Sequence, residues 1–424
     1  MNICKFGGSI LNSANNISLL CQAVASLRSE GVVVVVSALS STTRELEKAS
    51  MDASVGNIDA ALSAIRLIED RTASLAHEFL GDGPEWAGYC SAAGDIANRA
   101  TTILRGISAT RQRTNKVGHM FRALGEDWAL ALIGAALRKH SVGSETVDAR
   151  RVIRTSDHNR AVCVPDFEQT FAAVQAIVAP ALQRSGCVLI QGYVGSDNQG
   201  ETTTMGSESS NLSAALLASC LPADSVTLFT DVPGVMSADP LEADDAQLIE
   251  SMDYHTAHRL AVHGVKLLFP TMIPLLQNAG IPLVVRSLHR PEGIGTTISS
   301  TPAIRSVRCI ISQGARIAFN DFASPTTNDE RDILLVQSAS GNVHIGHCSE
   351  ITLRDTGDSA ISLVTVFHQG IPGADILKQA AERAASGEIA IRGVWTLAPD
   401  LCCIAVPEEH QSQIAAHLHG MLIA

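Results

Sequence analysis

The chain opens on two short runs of β-branched residues, 2–5 and 31–38, the second holding five consecutive valines, with a helix-period segment over 17–29 between them. A strand this apolar has no wet face and must be covered on both sides. Two such strands joined through a helix run parallel. The opening therefore predicts an α/β fold, a mostly parallel sheet sandwiched by helices. Further strand-like runs at 143–147, 187–192, 225–230 and 282–286 extend the sheet. The stretch from about 58 to 140 is rich in Ala, Leu, Arg and Glu, with Pro84 its sole proline, and reads as helical.

A chain of 424 residues exceeds one hydrophobic core. Between 293 and 302 it turns rich in Gly, Ser and Thr, and beyond that its texture changes to short strands separated by turns. This predicts a catalytic domain over 1–298 and a smaller α+β region over 303–424. In the second region strands are expected at 304–312, 333–338, 351–354, 361–367, 389–396 and 401–406, and helices at 373–386 and 408–422. It carries no acid-base cluster, which suits a regulatory or dimerising role.

No apolar run approaches the roughly 18 residues that span a bilayer. A formal charge of −12 opposes broad contact with nucleic acid and offers no polybasic membrane patch. Small molecules are the expected partners. Ten cysteines are scattered without a Cys-x-x-Cys pair, as suits reduced thiols in the cytoplasm. Met1 leads straight into the first strand, so an unprocessed N-terminus is expected. His255, His258, His263, His344 and His347 are not joined by Cys or carboxylates in ligand spacing, and no metal site is expected of them.

Three segments carry the chemistry. Lys5-Phe6-Gly7-Gly8-Ser9 puts a lysine at a strand end before a glycine pair whose amides can approach phosphate oxygens. Taken alone it is more often simply a turn, in roughly two cases of three. Gly192-Tyr193-Val194-Gly195, then Gly200 to Gly206 with three threonines, then the helical stretch from Ser209, place a hydroxyl-rich loop at a helix N-terminus, where free amides favour anions. Thr230-Asp231 and Asp239-Pro240 follow a strand end, the usual ligand edge of an open α/β sheet. Lys266 stands in the apolar setting Gly264 to Pro270, where it meets an anion or snorkels to the surface.

In this order these segments resemble the aspartokinase branch of the amino-acid kinase family over residues 1 to about 298. Val36-Ser37-Ala38 with Thr42-Thr43, Gly125-Glu126 and Val147-Asp148-Ala149-Arg150 add to the resemblance. It implies ATP as phosphoryl donor with Mg²⁺, L-aspartate or a related carboxylate as acceptor, and L-aspartyl 4-phosphate as product. It further implies that Lys5, Gly7, Gly8, Ser9, Thr230, Asp231, Asp239 and Lys266 serve the nucleotide, with Lys5 and Lys266 catalytic. Thr43 and Glu126 would hold the amino acid, together with positions 207 and 211. There the chain departs from the family: Ser207 replaces an arginine expected to pair with a substrate carboxylate, and Asn211 replaces an aspartate. Arg44, beside Thr43, is the nearest replacement cation by sequence. The alternatives are a relative acting on another carboxylate and a catalytically silent regulatory homologue. The C-terminal third resembles paired ACT modules, best over 401–422, and by analogy implies a homodimer through its strands.

Overall fold

The structure, a computed structural model, describes residues 1–265, 267–301, 307–318, 332–338, 343–348, 361–368, 376 and 393–422. These divide into two compact units, Met1–Pro233 with Thr271–Thr297, and Gly234–Pro270 with Ile298–Ala424.

The first unit is built on a parallel sheet. Its strands are β1 (Asn2–Phe6), β2 (Val32–Val36), β3 (Glu145–Val147), β4 (Cys187–Gln191), β7 (Ser225–Thr230) and Leu283–Ser287. They lie side by side in the order β3, β4, β2, β1, β7, Leu283–Ser287, every pairing parallel. All five valines of β2 are fully buried, as a central strand covered on both faces requires. Each contributes roughly 1.5–3 kcal/mol by burial.

The helical stretch forms Ile58–Leu80, Pro84–Thr110, Asn115–Arg122 and Leu124–Lys139. Their apolar stripes join the strands in one core that includes Ile65, Ile68, Tyr89, Leu104, Phe121, Trp128 and Leu132. Pro84 sits in the first turn of its helix, where its missing N–H costs nothing.

One segment expected as a loop is ordered differently. Val194–Ser196 and Thr202–Thr204 pair antiparallel as β5 and β6, with Val194 opposite Thr204. The threonines alternate faces and close a short hairpin at Asp197, whose carboxylate accepts the N–H groups of Gln199 and Glu201 at 2.9 and 3.0 Å.

In the second unit an antiparallel sheet runs in the order Val343–Cys348, Asp332–Ser338, Arg308–Ala318, Ile361–His368, Leu401–Pro407, Gly393–Ala398. The helix Gln411–Leu422 buries Ile414, Ala415 and Leu418 against Ile310, Val364, Val366, Cys402 and Ile404. Val343–Cys348 is a strand that the sequence did not suggest. The expected strand at 351–354 and most of the expected helix at 373–386 lie outside the described residues. Among the described residues no helix is long and apolar enough to cross a membrane, and no disulfide forms.

Candidate active site

Because β4, β2, β1 and β7 are adjacent and parallel, the loops leaving their carboxyl ends share one edge of the sheet. Ala38, just past β2, is where these loops converge. A Cβ on Gly8 would lie 2.1 Å from the Ala38 carbonyl oxygen, so only glycine lets the loop after β1 pass so close. A Cβ placed on Gly125, in the first turn of Leu124–Lys139, is already 3.0 Å from the Ala38 Cβ. The same turn delivers Glu126, whose Oε1 accepts the Ala38 N–H at 3.2 Å.

Glu126 is buried, and its Oε2 has no hydrogen-bond partner. Burial holds the carboxyl protonated to unusually high pH, with a pKa of about 8, against the lowering pull of the Ala38 N–H. An acid buried with one oxygen unpaired is costly unless a cationic ligand completes it.

Lys5 lies near the end of β1, between Val35 of β2 and Leu228 of β7. Its Nζ hangs over the glycine pair, 3.4 Å from where a Gly7 Cβ would stand. Burial lowers its pKa to about 8, and the charge of Glu208 opposes that shift. The loop after β6 therefore reaches the vicinity of Lys5. That loop holds Gly206 at φ +95° and Glu208 at φ +63°, both left-handed. Ser207 between them is exposed, while Asn211 is buried in the first turn of the helix Ser210–Cys220. A Gly192 Cβ would meet Ser210 at 2.6 Å, so the end of β4 presses directly on that helix N-terminus.

Thr230 ends β7, and its hydroxyl donates to Asp231 at 3.0 Å; Asp231 itself is exposed. Ser9 is exposed, and Thr43 is half-buried in the first turn of Thr42–Ser54. Arg44, one residue on, is exposed. The structure thus places Lys5, Gly7, Gly8, Ser9, Thr43, Glu126, Ser207, Asn211, Thr230 and Asp231 on strand ends, loops and helix starts of the first unit. Asp239 belongs to the second unit, where its carboxylate accepts the Leu241 N–H at 3.0 Å in a turn. Lys266 lies outside the described residues.

Two side chains not singled out by sequence join this region. Arg122 is the last residue of the helix before Glu126, and Tyr193 follows β4 with a left-handed backbone at φ 64°, strained for a bulky residue. The Arg122 Nε donates to the Tyr193 hydroxyl at 3.1 Å. Further out, Asp157, His158 and Asp197 bring one potential ligand atom each within 4.8 Å of one another. Asp197 there also fastens the β5–β6 hairpin, as described above.

The model of the amino acid kinase family matches residues 1–287. The chain belongs to the amino acid kinase family. Within it the chain is similar to the bifunctional aspartokinase/homoserine dehydrogenase 2, chloroplastic, of Arabidopsis thaliana, with 26% identity over 302 residues, 71% of this chain and 32% of that protein. The chain thus spans about a third of the length of the plant relatives it matches. It is also similar to the lysine-sensitive aspartokinase 3 of Escherichia coli K12, with 36% identity over 176 residues, 41% of this chain and 38% of that one. Among solved structures, E. coli aspartokinase III in complex with aspartate and ADP superposes with a TM-score of 0.81 over the whole of both chains at 20% identity, which establishes the shared fold.

Proposed function

We propose that the protein transfers the γ-phosphoryl group of ATP to the side-chain carboxylate of L-aspartate, giving L-aspartyl 4-phosphate and ADP. The observation that carries this reading is the placing of two ionisable groups on one sheet edge: Lys5 over a glycine pair, and the buried Glu126 with an open oxygen. The first suits a phosphoryl group and the second an ammonium group. Aspartokinase relatives make aspartate the leading amino acid.

A carboxylate acceptor is ionised at neutral pH, so no catalytic base is needed. One of its oxygens attacks the γ-phosphorus as the bond to the β,γ-bridging oxygen breaks, and no proton moves. Catalysis then rests on position and charge. Lys5 neutralises the equatorial oxygens, and the amides of Gly7 and Gly8 approach them. Glu126 takes the substrate ammonium, and Thr43, in the first turn of the helix that follows β2, contacts the same amino acid. Thr230 and Asp231 serve the nucleotide end, and Lys266 retains the role its sequence setting implies. Mg²⁺ would supply charge neutralisation on the phosphates, and the exposed carboxylate of Asp231 is a hard oxygen ligand suited to it.

Ser207 and Asn211 motivate a second reading, in which the acceptor is another carboxylate. The region 303–424 is taken as a regulatory and homodimer-forming module under either reading. Trapping the acyl phosphate as a hydroxamate, across a panel of carboxylates with ATP and Mg²⁺, tests both. Product with aspartate is expected. Product only with another acid replaces the substrate, and nucleotide binding without any product makes the chain a silent homologue.

A further inference from the structure

Holding a zwitterionic amino acid takes an anion for its ammonium and a cation for its carboxylate, and Glu126 supplies only the first. We propose that Arg122 is the cation that grips the α-carboxylate of the amino-acid substrate and so sets specificity for α-amino acids at this site. This rests on the reading above that the site phosphorylates an amino acid.

The two residues are four apart, and Ala123 between the helices keeps right-handed helical dihedrals, φ −61° and ψ −20°. The helices meet there, and Tyr193 feels the charge of both Arg122 and Glu126, so the two side chains flank one phenol. An amino acid lying against that phenol would turn its ammonium to one side and its carboxylate to the other. The two side chains do not close on each other: Glu126 Oε2 is unpartnered, and no ion pair joins them.

The hydrogen bonds that hold Arg122 in place go to neutral groups. Its Nε donates to Tyr193 and its Nη2 to His119 Nδ1 at 3.2 Å. The other ring nitrogen of His119 is 2.7 Å from the Arg160 carbonyl oxygen, which can only accept, so Nε2 carries the proton and Nδ1 is the acceptor. Burial lowers the His119 pKa and keeps the ring neutral. Arg122 Nη1 stands 3.9 Å from the half-exposed carboxylate of Glu47, outside hydrogen-bond reach. The side chain is mostly buried, at 17% exposure, and its ion-pair partner Glu47 is half-exposed and long at 3.9 Å, so a bound carboxylate can compete for the guanidinium.

The other arginine near Glu126 is engaged. Arg150 makes a forked contact with Asp127 at 3.0 and 3.1 Å and reaches Asp148 at 3.2 Å. Arg44 is exposed. The strained backbone of Tyr193 has a purpose on this account, since it turns the phenol onto Arg122.

The test compares aspartate with its α-amide, equal in size but neutral at that group, in the parent and in Arg122→Ala and Arg122→Lys. Expected in Arg122→Ala is a rise in the aspartate KM of roughly tenfold to several hundredfold, with the ATP KM unchanged. The parent's preference for aspartate over the amide should vanish, and Arg122→Lys should recover part of it. An unchanged aspartate KM, or an equal loss on both substrates, would overturn the proposal and leave Arg122 a structural residue. A parent without aspartate turnover sinks the kinase reading instead. Calorimetric titration with aspartate then decides Arg122: binding lost in Arg122→Ala upholds it, and no binding by the parent overturns it.

Discussion

Glu126 is tied to Ala38 by one oxygen, at 3.2 Å, while its other oxygen is buried and unpaired. The tied oxygen sets the position of the carboxyl, and the free one can accept a donor from a bound cation. Glu126→Gln can keep the Ala38 bond and removes only the charge. The aspartate KM should rise by a factor corresponding to roughly 2–5 kcal/mol, with the ATP KM unchanged. Steady-state kinetics with each substrate varied in turn checks this. A change confined to ATP would mean that the two subsites are reversed.

The same carboxyl makes stability depend on pH. Its pKa is raised from 4.5 to about 8 by burial, so between those values the folded state holds a proton that the unfolded chain releases. Stability should therefore be full below about pH 4.5 at this group and decline as pH rises toward 8, the slope following the difference in bound protons. Urea titrations from pH 5 to pH 8 should show the decline in the ligand-free parent and a flatter profile in Glu126→Gln. Identical profiles would show that the carboxyl is not desolvated.

Lys5 has the opposite sign. Burial lowers its pKa to about 8, so its charge is lost as pH rises through that value in the free protein. The value of kcat/KM for ATP should fall above about pH 8. The value of kcat should hold to higher pH, because bound phosphates favour the ammonium. Lys5→Ala should cut turnover by roughly 10²–10³-fold, the usual loss when a donor to developing charge is removed, and leave the circular dichroism spectrum intact. Near-normal turnover would remove Lys5 from the phosphoryl site.

Gly8→Ala and Gly7→Ala should separate fold from chemistry. A methyl at Gly8 would press on the Ala38 carbonyl at 2.1 Å, and backbone cannot yield as a side chain can. Overpacking of this kind costs roughly 1–3 kcal/mol. The shift would also displace the Ala38 N–H that positions Glu126, so melting temperature and aspartate affinity should fall together. At Gly7 the nearest atom is Lys5 Nζ at 3.4 Å, an ordinary contact with a flexible group. That variant should melt close to the parent and lose turnover alone.

The parallel sheet was legible because Val32–Val36 admits no wet face, and the placement of Lys5, the glycine pair and Thr230-Asp231 because they fall at strand ends in sequence itself. Arg122 was not legible. In a helix of mixed polarity an arginine looks like surface, and what makes it otherwise is Tyr193, 71 residues further along the chain. Arg44, the nearest cation to Thr43 by sequence, illustrates the reverse: its neighbour lies in the site region, yet one step around the helix turns its side chain to solvent. The β5–β6 hairpin was hidden for a related reason, since Thr202–Thr204 gains its strand character from Val194–Ser196 across the turn.

Ser207 offers a final check on how the substrate carboxylate is met. It is exposed between two left-handed residues, Gly206 and Glu208, and the side chain of a larger residue there has solvent to enter. Ser207→Arg should therefore change stability by no more than about 0.5 kcal/mol, as surface substitutions do. The loop it sits on reaches the vicinity of Lys5, as the influence of Glu208 on that lysine indicates. In the parent, with Arg122 already serving the carboxylate, the added arginine should improve the aspartate KM little. In Arg122→Ala it has a vacancy to fill, and the double variant should recover at least roughly tenfold of the lost affinity, about 1.4 kcal/mol. A strong gain in the parent would show that the carboxylate is unmatched there and that Arg122 does not reach it. No gain in either background would place Ser207 away from the bound amino acid.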